Sequence, residues 1–154
     1  FYQNGKSSIV ATSGLRYLLQ GKCWNPLPAP RNGEGKELTL TGATAMLAVA
    51  PDGEAQIICA GGVNHEIFWD AISGTYSKVA QADYLKKDIS WYQFNGCPLA
   101  YQLKTERWEI LSHKTPLLAR AGAQVAMRKH TLYYIGGELK PGLRSPGIVQ
   151  LDLR

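Results

Sequence analysis

At 154 residues, 45% of them apolar, the chain can bury a core of ordinary size as one domain, and its composition is not that of a disordered segment. The formal charge of +5 comes from scattered basic residues. Their local groupings, Lys86-Lys87 and Arg128 to His130, lack the interleaved aromatics of a strand-binding groove, which argues against nucleic acid as a partner.

No apolar run reaches membrane-spanning length, so no membrane partner is expected, and three cysteines without a Cys-x-x-Cys spacing fix no redox compartment. Sixteen glycines, eight prolines and eight tyrosines predict an all-β chain of short strands joined by turns. Glycine and proline mark chain reversals, and tyrosine suits a pleated, half-buried surface. The sequence opens on Phe1 with no charged-then-apolar leader, as expected of a processed chain or an excised piece.

The first clear pattern, "YLLQGKCWNPL" from Tyr17 to Leu27, predicts a hairpin with Trp24 buried on its second strand. Next, "TGATAMLAVAPDGEAQIICAGG" runs small residues into an alternating strand, turns at Pro51-Asp52-Gly53 and returns as an apolar strand ending in Gly61-Gly62. Cys59 in that strand reads as a small buried thiol. The segment "NHEIFWDAISGTYSKVAQADYLKKDISWYQFNG" then interrupts the pattern with a polar and aromatic mix that fits a helical turn or two. Loops this long inside compact repeats are more often functional than idle.

After the interruption, "YQLKTERWEIL" from Tyr101 to Leu111 repeats the Tyr, Leu, Trp and Leu of the first hairpin at identical offsets, with Trp108 in the place of Trp24. "RAGAQVAMRKHTLYYIGG" likewise repeats the diglycine strand pair, with Arg128-Lys129-His130 as its turn. "GGELKPGLR" and a last apolar strand in "GIVQLDLR" follow.

Put in order, the unit is strand, turn, strand, Gly-Gly, loop, strand, turn, Trp strand. A diglycine ending the second strand and a Trp in the fourth, recurring about every fifty residues, is the kelch pattern of a β-propeller. The expected organisation is a partial kelch propeller of about two to three four-stranded blades with a long, partly helical insertion. Residues 1–40 end one blade and form a linker, 41–115 form a complete blade with the insertion at 64–96, and 116–154 form most of a further blade. A ring needs at least about four blades to close, so missing blades or self-association are expected to complete it.

Equivalent loops of successive blades point the same way. One face therefore collects Asn64 and His65 after the first diglycine and Glu138 to Arg144 after the second. The inter-blade segments add Arg31, Glu34, Lys36 and Glu37, then His113 and Arg120. Taken by themselves, Glu138 and Arg144 form an ion pair that pins a loop more readily than they form a catalytic pair. His65 and His113 read as loop-surface residues rather than as acid/base groups. Asn64 either caps the insertion or contacts a ligand hydroxyl. Trp69, Trp91 and Tyr92 fit core packing, or an aromatic platform under a sugar.

"GGVNHEIF", "NGC" with "YQLKTERWEIL", and above all "GGELKPGLR" closely resemble the bacterial N-acetylneuraminate epimerase family, the sialic acid mutarotases on a kelch propeller. The likeness covers about residues 41–154; residues 1–40 fit only the general blade pattern. It implies a six-bladed ring that interconverts the α and β anomers of sialic acid, and a periplasmic setting. It also implies that Glu138 and Arg144, which stand where the family's Glu and Arg stand, are the catalytic residues.

The chemistry agrees with those roles. Opening a cyclic hemiketal removes a proton from the anomeric hydroxyl and delivers one to the ring oxygen, work suited to the carboxyl of Glu138. Arg144 offers a rigid fork for the sugar's carboxylate. Asn64, His65, Lys140 and Arg120 are the candidate substrate-binding residues, and the reaction requires neither a metal nor an organic cofactor. The alternative is a non-catalytic kelch module that binds a glycan or a protein on the same face. A copper oxidase would need clustered Tyr, His and Cys ligands, which Cys23 and Cys97 do not suggest.

Overall fold

The computed structural model describes residues 2–4, 7–50, 52–112 and 114–153; Pro51 and His113 lie outside the described residues. In chain order the strands are β1 (Tyr2–Asn4), β2 (Ser7–Ile9), β3 (Gly14–Leu18), β4 (Cys23–Leu27), β5 (Ala43–Val49), β6 (Ala55–Gly61), β7 (Leu99–Gln102) and β8 (Arg107–Ile110). They continue with β9 (Gln124–Arg128), β10 (Thr131–Ile135), β11 (Glu138–Lys140), β12 (Leu143–Arg144) and β13 (Ile148–Asp152). Two helices, α1 (His65–Ile72) and α2 (Gln81–Tyr84), and a 3-10 turn at Ile89–Tyr92 lie between β6 and β7. No helix among the described residues is long and apolar enough to cross a membrane.

Strands β5-β6-β7-β8 form one four-stranded antiparallel sheet, a complete blade. Strands β9, β10 and β13 form a second sheet in the order β13-β10-β9, and β3 and β4 pair with each other. These are the kelch-type blades that the repeats predict. Between β10 and β13 the chain forms a small hairpin, β11–β12, at the point where the complete blade carries its helical insertion. A further hairpin, β1–β2, leads into β3 as β11–β12 leads into β13.

The repeat extends to ring geometry. Tyr17 stands opposite Trp24 with ring centroids 5.2 Å apart and planes at 55°; Tyr101 stands opposite Trp108 at 5.1 Å and 55°. The indoles are less covered than the sequence predicts, since Trp24 is 65% exposed and Trp108 half-buried. The physical reason is position. The Trp strand is the fourth, outermost strand of a blade, so its indole has only its Tyr partner and any segment that crosses it. For Trp108 that segment is at Pro28, whose carbonyl accepts the indole N–H at 2.9 Å.

The core lies between the blades. Ala48, Ile58, Ala60 and Ala100 of the complete blade cluster with Leu132 and Tyr134 of the next, together with Leu118 and Leu153. Small residues on one sheet leave room for the large side chains on the other, and each large apolar group buried this way contributes about 1.5–3 kcal/mol. Burial raises the pKa of the Tyr134 hydroxyl and pushes the Cys59 thiol to about 11, so Cys59 behaves as the small buried thiol expected of it.

Each diglycine turns the chain out of its second strand with both residues at positive φ: +76° and +100° at Gly61 and Gly62, +68° and +90° at Gly136 and Gly137. At Gly61 a Cβ would stand 2.2 Å from the carbonyl oxygen of Arg120, so the segment leading into the next blade passes where a side chain would be. Gly62 donates to that same carbonyl at 2.9 Å. The first strands then run side by side, where the Thr44 hydroxyl donates to the Ala123 carbonyl.

Candidate functional site

The residue after each diglycine is held in the same way. Val63 donates its N–H to Thr41 O at 3.0 Å, and Glu138 donates to Ala121 O at 2.7 Å. The backbone exit is one structure used twice, and Glu138 is the charged residue at the second copy. Pro141 and Gly142, the latter at φ +79°, then reverse the chain within two residues. This short turn sets Lys140 opposite Leu143, and an irregularity in the register between Glu138 and Lys140 then sets Glu138 directly opposite Arg144.

Glu138 Oε1 and Arg144 Nη2 are 3.6 Å apart. That distance is an ion pair and too long for a hydrogen bond. The Arg144 side chain is 81% exposed and that of Glu138 35%, so the guanidinium keeps donors for a second anion beside the carboxylate. In chemical terms the hairpin presents a proton acceptor and an anion-binding fork on one face.

Arg120 lies at the base of that hairpin, only 6% exposed. Its Nη1 donates to Gly136 O at 2.7 Å and Gly147 O at 3.3 Å, and its Nε to Leu117 O at 3.0 Å. Gly136 and Gly147 are the two ends of the hairpin segment, so one guanidinium grips both. Burial lowers its pKa from the usual arginine value, and carbonyl dipoles solvate the charge. Lys140, at the other end of β11, donates to Lys87 O at 2.6 Å and Leu85 O at 3.2 Å.

Asn64 and His65 open the insertion. The Asn64 side chain caps α1 by accepting from Ile67 N at 3.0 Å, and its amide reaches Gln93 Oε1 at 3.5 Å. His65 Nε2 lies 2.8 Å from Val10 O; a carbonyl only accepts, so that nitrogen carries the hydrogen. Both residues line a cleft of about 780 Å³ together with Lys36, Glu34 and Lys114. Lys140 lines a neighbouring cleft of about 970 Å³ with Leu139, Leu143, Ile89 and Phe94. Gln93, Phe94 and Lys114 belong to both, whereas Glu138, Arg144 and Arg120 line neither.

The structure thus brings Glu138, Arg144 and Lys140 onto one hairpin with Arg120 beneath it, and sets Asn64 and His65 apart at the start of α1. Cations of the linker are paired: Arg31 with Glu37 at 2.6 Å, and Lys36 with Glu66 at 2.7 Å. Glu34 lies in the same linker, where its backbone N–H donates to Asn32 Oδ1 at 3.0 Å.

Sequence reasoning did not single out Asp70, 5% exposed, which organises the insertion. It accepts from the Ser77 hydroxyl at 2.6 Å and from the N–H groups of Ser77 and Lys78 at 2.9 and 3.1 Å. The Ser77 hydroxyl, ahead of the two N–H groups, holds this carboxyl below its ordinary range.

Tyr84 is the hub of an aromatic cluster, edge-on to Tyr76, Trp91 and Tyr92 at 5.9, 5.9 and 5.4 Å. Burial pushes its hydroxyl up to about 12. Trp91 and Tyr92 therefore pack against other rings of the insertion. Among the described residues no three His, Cys, Asp or Glu side chains gather as a metal site would require.

The family model described as N-acetylneuraminate epimerase matches residues 3–154. Over 101 residues the chain is 33% identical to the N-acetylneuraminate epimerase of Escherichia coli O9:H4 (strain HS), covering 60% of this chain and 27% of that protein. The proteins of the same name from Escherichia coli (strain K12) and Shigella sonnei (strain Ss046) are 31% identical over 100 residues, with the same coverage. The chain spans about a quarter of the length of the curated relatives it matches. The solved structure of YjhT matches with a TM-score of 0.65 at 25% identity, over 89% of this chain and 38% of that one.

Proposed function

The chain belongs to the N-acetylneuraminate epimerase family, whose model it matches from residue 3 to residue 154, and from that premise we propose an isomerase that interconverts the α and β anomers of N-acetylneuraminate. The observation that carries the reading is the register of the β11–β12 hairpin. It sets Glu138 directly opposite Arg144, 3.6 Å apart, immediately after a diglycine exit that elsewhere carries Val63.

In the proposed reaction Arg144 holds the sugar's carboxylate through its fork, placing the anomeric carbon beside Glu138. Glu138 takes the proton of the anomeric hydroxyl as the bond from that carbon to the ring oxygen breaks, and passes it to the ring oxygen, which becomes a hydroxyl. Rotation about the freed carbon–carbon bond exposes the other face of the ketone. The ring oxygen then attacks it, giving its proton to Glu138, which delivers it to the new anomeric oxygen, so protons and electrons balance. The sequence of steps calls for no metal or organic cofactor. Further blades complete the face on which the sugar sits, and the substrate is the small sugar alone, with no nucleic acid or membrane involved.

The test is anomer exchange of N-acetylneuraminate followed by NMR with the intact protein. Glu138→Gln is expected to lose about 10²–10⁴-fold in rate while the sugar still binds. Binding without exchange by the unaltered protein would replace the enzyme with a kelch glycan-binding module.

A further inference from the structure

The insertion is folded around its own side chains, yet one charged side chain ties it to the hairpin of the next blade. The ammonium of Lys140 spans to Leu85 O and Lys87 O, 55 and 53 residues away in sequence. Both carbonyls lie just past the C-terminal end of α2. Lys140 is also one cross-strand pair away from Glu138 and Arg144. The cleft of about 970 Å³ beside it has Ile89 and Phe94 on the insertion side and Leu139 and Leu143 on the hairpin side. Lys140 bridges these two walls.

We propose that Lys140 is a positioning residue: it fixes the hairpin against the insertion, so that the cleft and the Glu138–Arg144 pair hold one geometry. The inference rests on the reading of that pair as the reacting site. An ammonium has three donors, and two of them already point to main-chain carbonyls at 2.6 and 3.2 Å, which leaves little of Lys140 for a sugar. Its effect on the reaction is through Glu138 and Arg144, where a shift of about 1 Å costs on the order of 100-fold in rate.

The experiment combines amide hydrogen exchange with anomer-exchange kinetics on the intact protein, using Lys140→Met, which keeps the stem, and Lys140→Arg, which keeps a cation with more than two donors. Lys140→Met is expected to speed amide exchange in residues 81–92 and 138–144 together and to lower kcat roughly 10–100-fold. KM should stay within about threefold, as for an interaction made only in the transition state. Lys140→Arg is expected to recover much of both. A raised KM at unchanged kcat makes Lys140 a sugar contact and overturns the proposal. Unchanged amide exchange in either segment also overturns it, and so does faster exchange with unaltered kinetics. If the unaltered protein does not exchange anomers, the functional reading falls, and amide exchange alone then decides whether the tie exists.

Discussion

The two connections that leave a diglycine start from the same backbone and are then stabilised by opposite means. After Gly61-Gly62 the chain builds an insertion held largely from within: Asn64 caps α1, Asp70 gathers the 77–78 turn, and Tyr84 centres an aromatic cluster. After Gly136-Gly137 it builds a short hairpin braced from without, by Arg120 at its base and Lys140 at its far end. A short hairpin has too little apolar surface to hold itself, and charged hydrogen bonds between it and neighbouring segments, from Arg120 inward and from Lys140 outward, do so instead. The difference shows how one repeat can keep its frame while one copy of the loop is free to carry opposed charges.

The sharpest way to break the comparison is at its shared element. At Gly61 a Cβ would meet the Arg120 carbonyl at 2.2 Å, while at Gly136 the nearest atom, Ser145 O, is 3.5 Å away. Gly61→Ala is expected to cost more than about 3 kcal/mol, from backbone strain plus a clash that only main-chain movement relieves. Gly136→Ala should cost only the strain of positive φ, about 1–2 kcal/mol. Chemical denaturation of the two variants side by side checks this, and equal losses would mean that the exits differ less than their surroundings suggest.

Next in size is Arg120→Met, which removes the guanidinium from three carbonyls at the hairpin base. It is expected to cost roughly 2–3 kcal/mol and to speed amide exchange in residues 136–147 ahead of the insertion. Equal loosening of both connections would deny that the braces are separate.

The smallest effect is confined to the self-held insertion and to acid. Because the Asp70 carboxyl is held low in the folded protein, its contribution is fully present above the unfolded value of about 3.9 and is lost as pH falls through the lower folded value. Asp70→Asn should therefore flatten the acid limb of Tm against pH between about pH 2 and pH 6, with no matching change from hairpin variants. An unchanged acid limb would show that the Ser77 contacts do not hold this carboxyl down.

The Tyr and Trp of the outer strands, the diglycines and the Pro-Gly turn of the hairpin were legible because each is a local pattern with a fixed pitch. The opposition of Glu138 and Arg144 was not readable: a two-residue turn in plain register pairs Leu139 with Arg144, and an irregularity between Glu138 and Lys140 brings the acid across instead. The exposure of Trp24 was not readable, since it depends on which distant segment crosses the outer strand. Arg120 and Lys140 looked like candidate ligand contacts because nothing in "LARAG" or "GELKPG" reveals an acceptor that is a carbonyl of a residue far along the chain. Asp70 is a further case, an acid inside a helix whose partners lie beyond the helix end.

The braces of the hairpin end on main-chain oxygen alone: Leu85 O, Lys87 O, Leu117 O, Gly136 O and Gly147 O. Every amino acid carries that atom, so residues 85, 87 and 117 can drift during evolution without releasing either cation. The pairs that hold the hairpin would then leave no correlated substitutions behind, and a contact map inferred from covarying positions would be blank where the support is strongest.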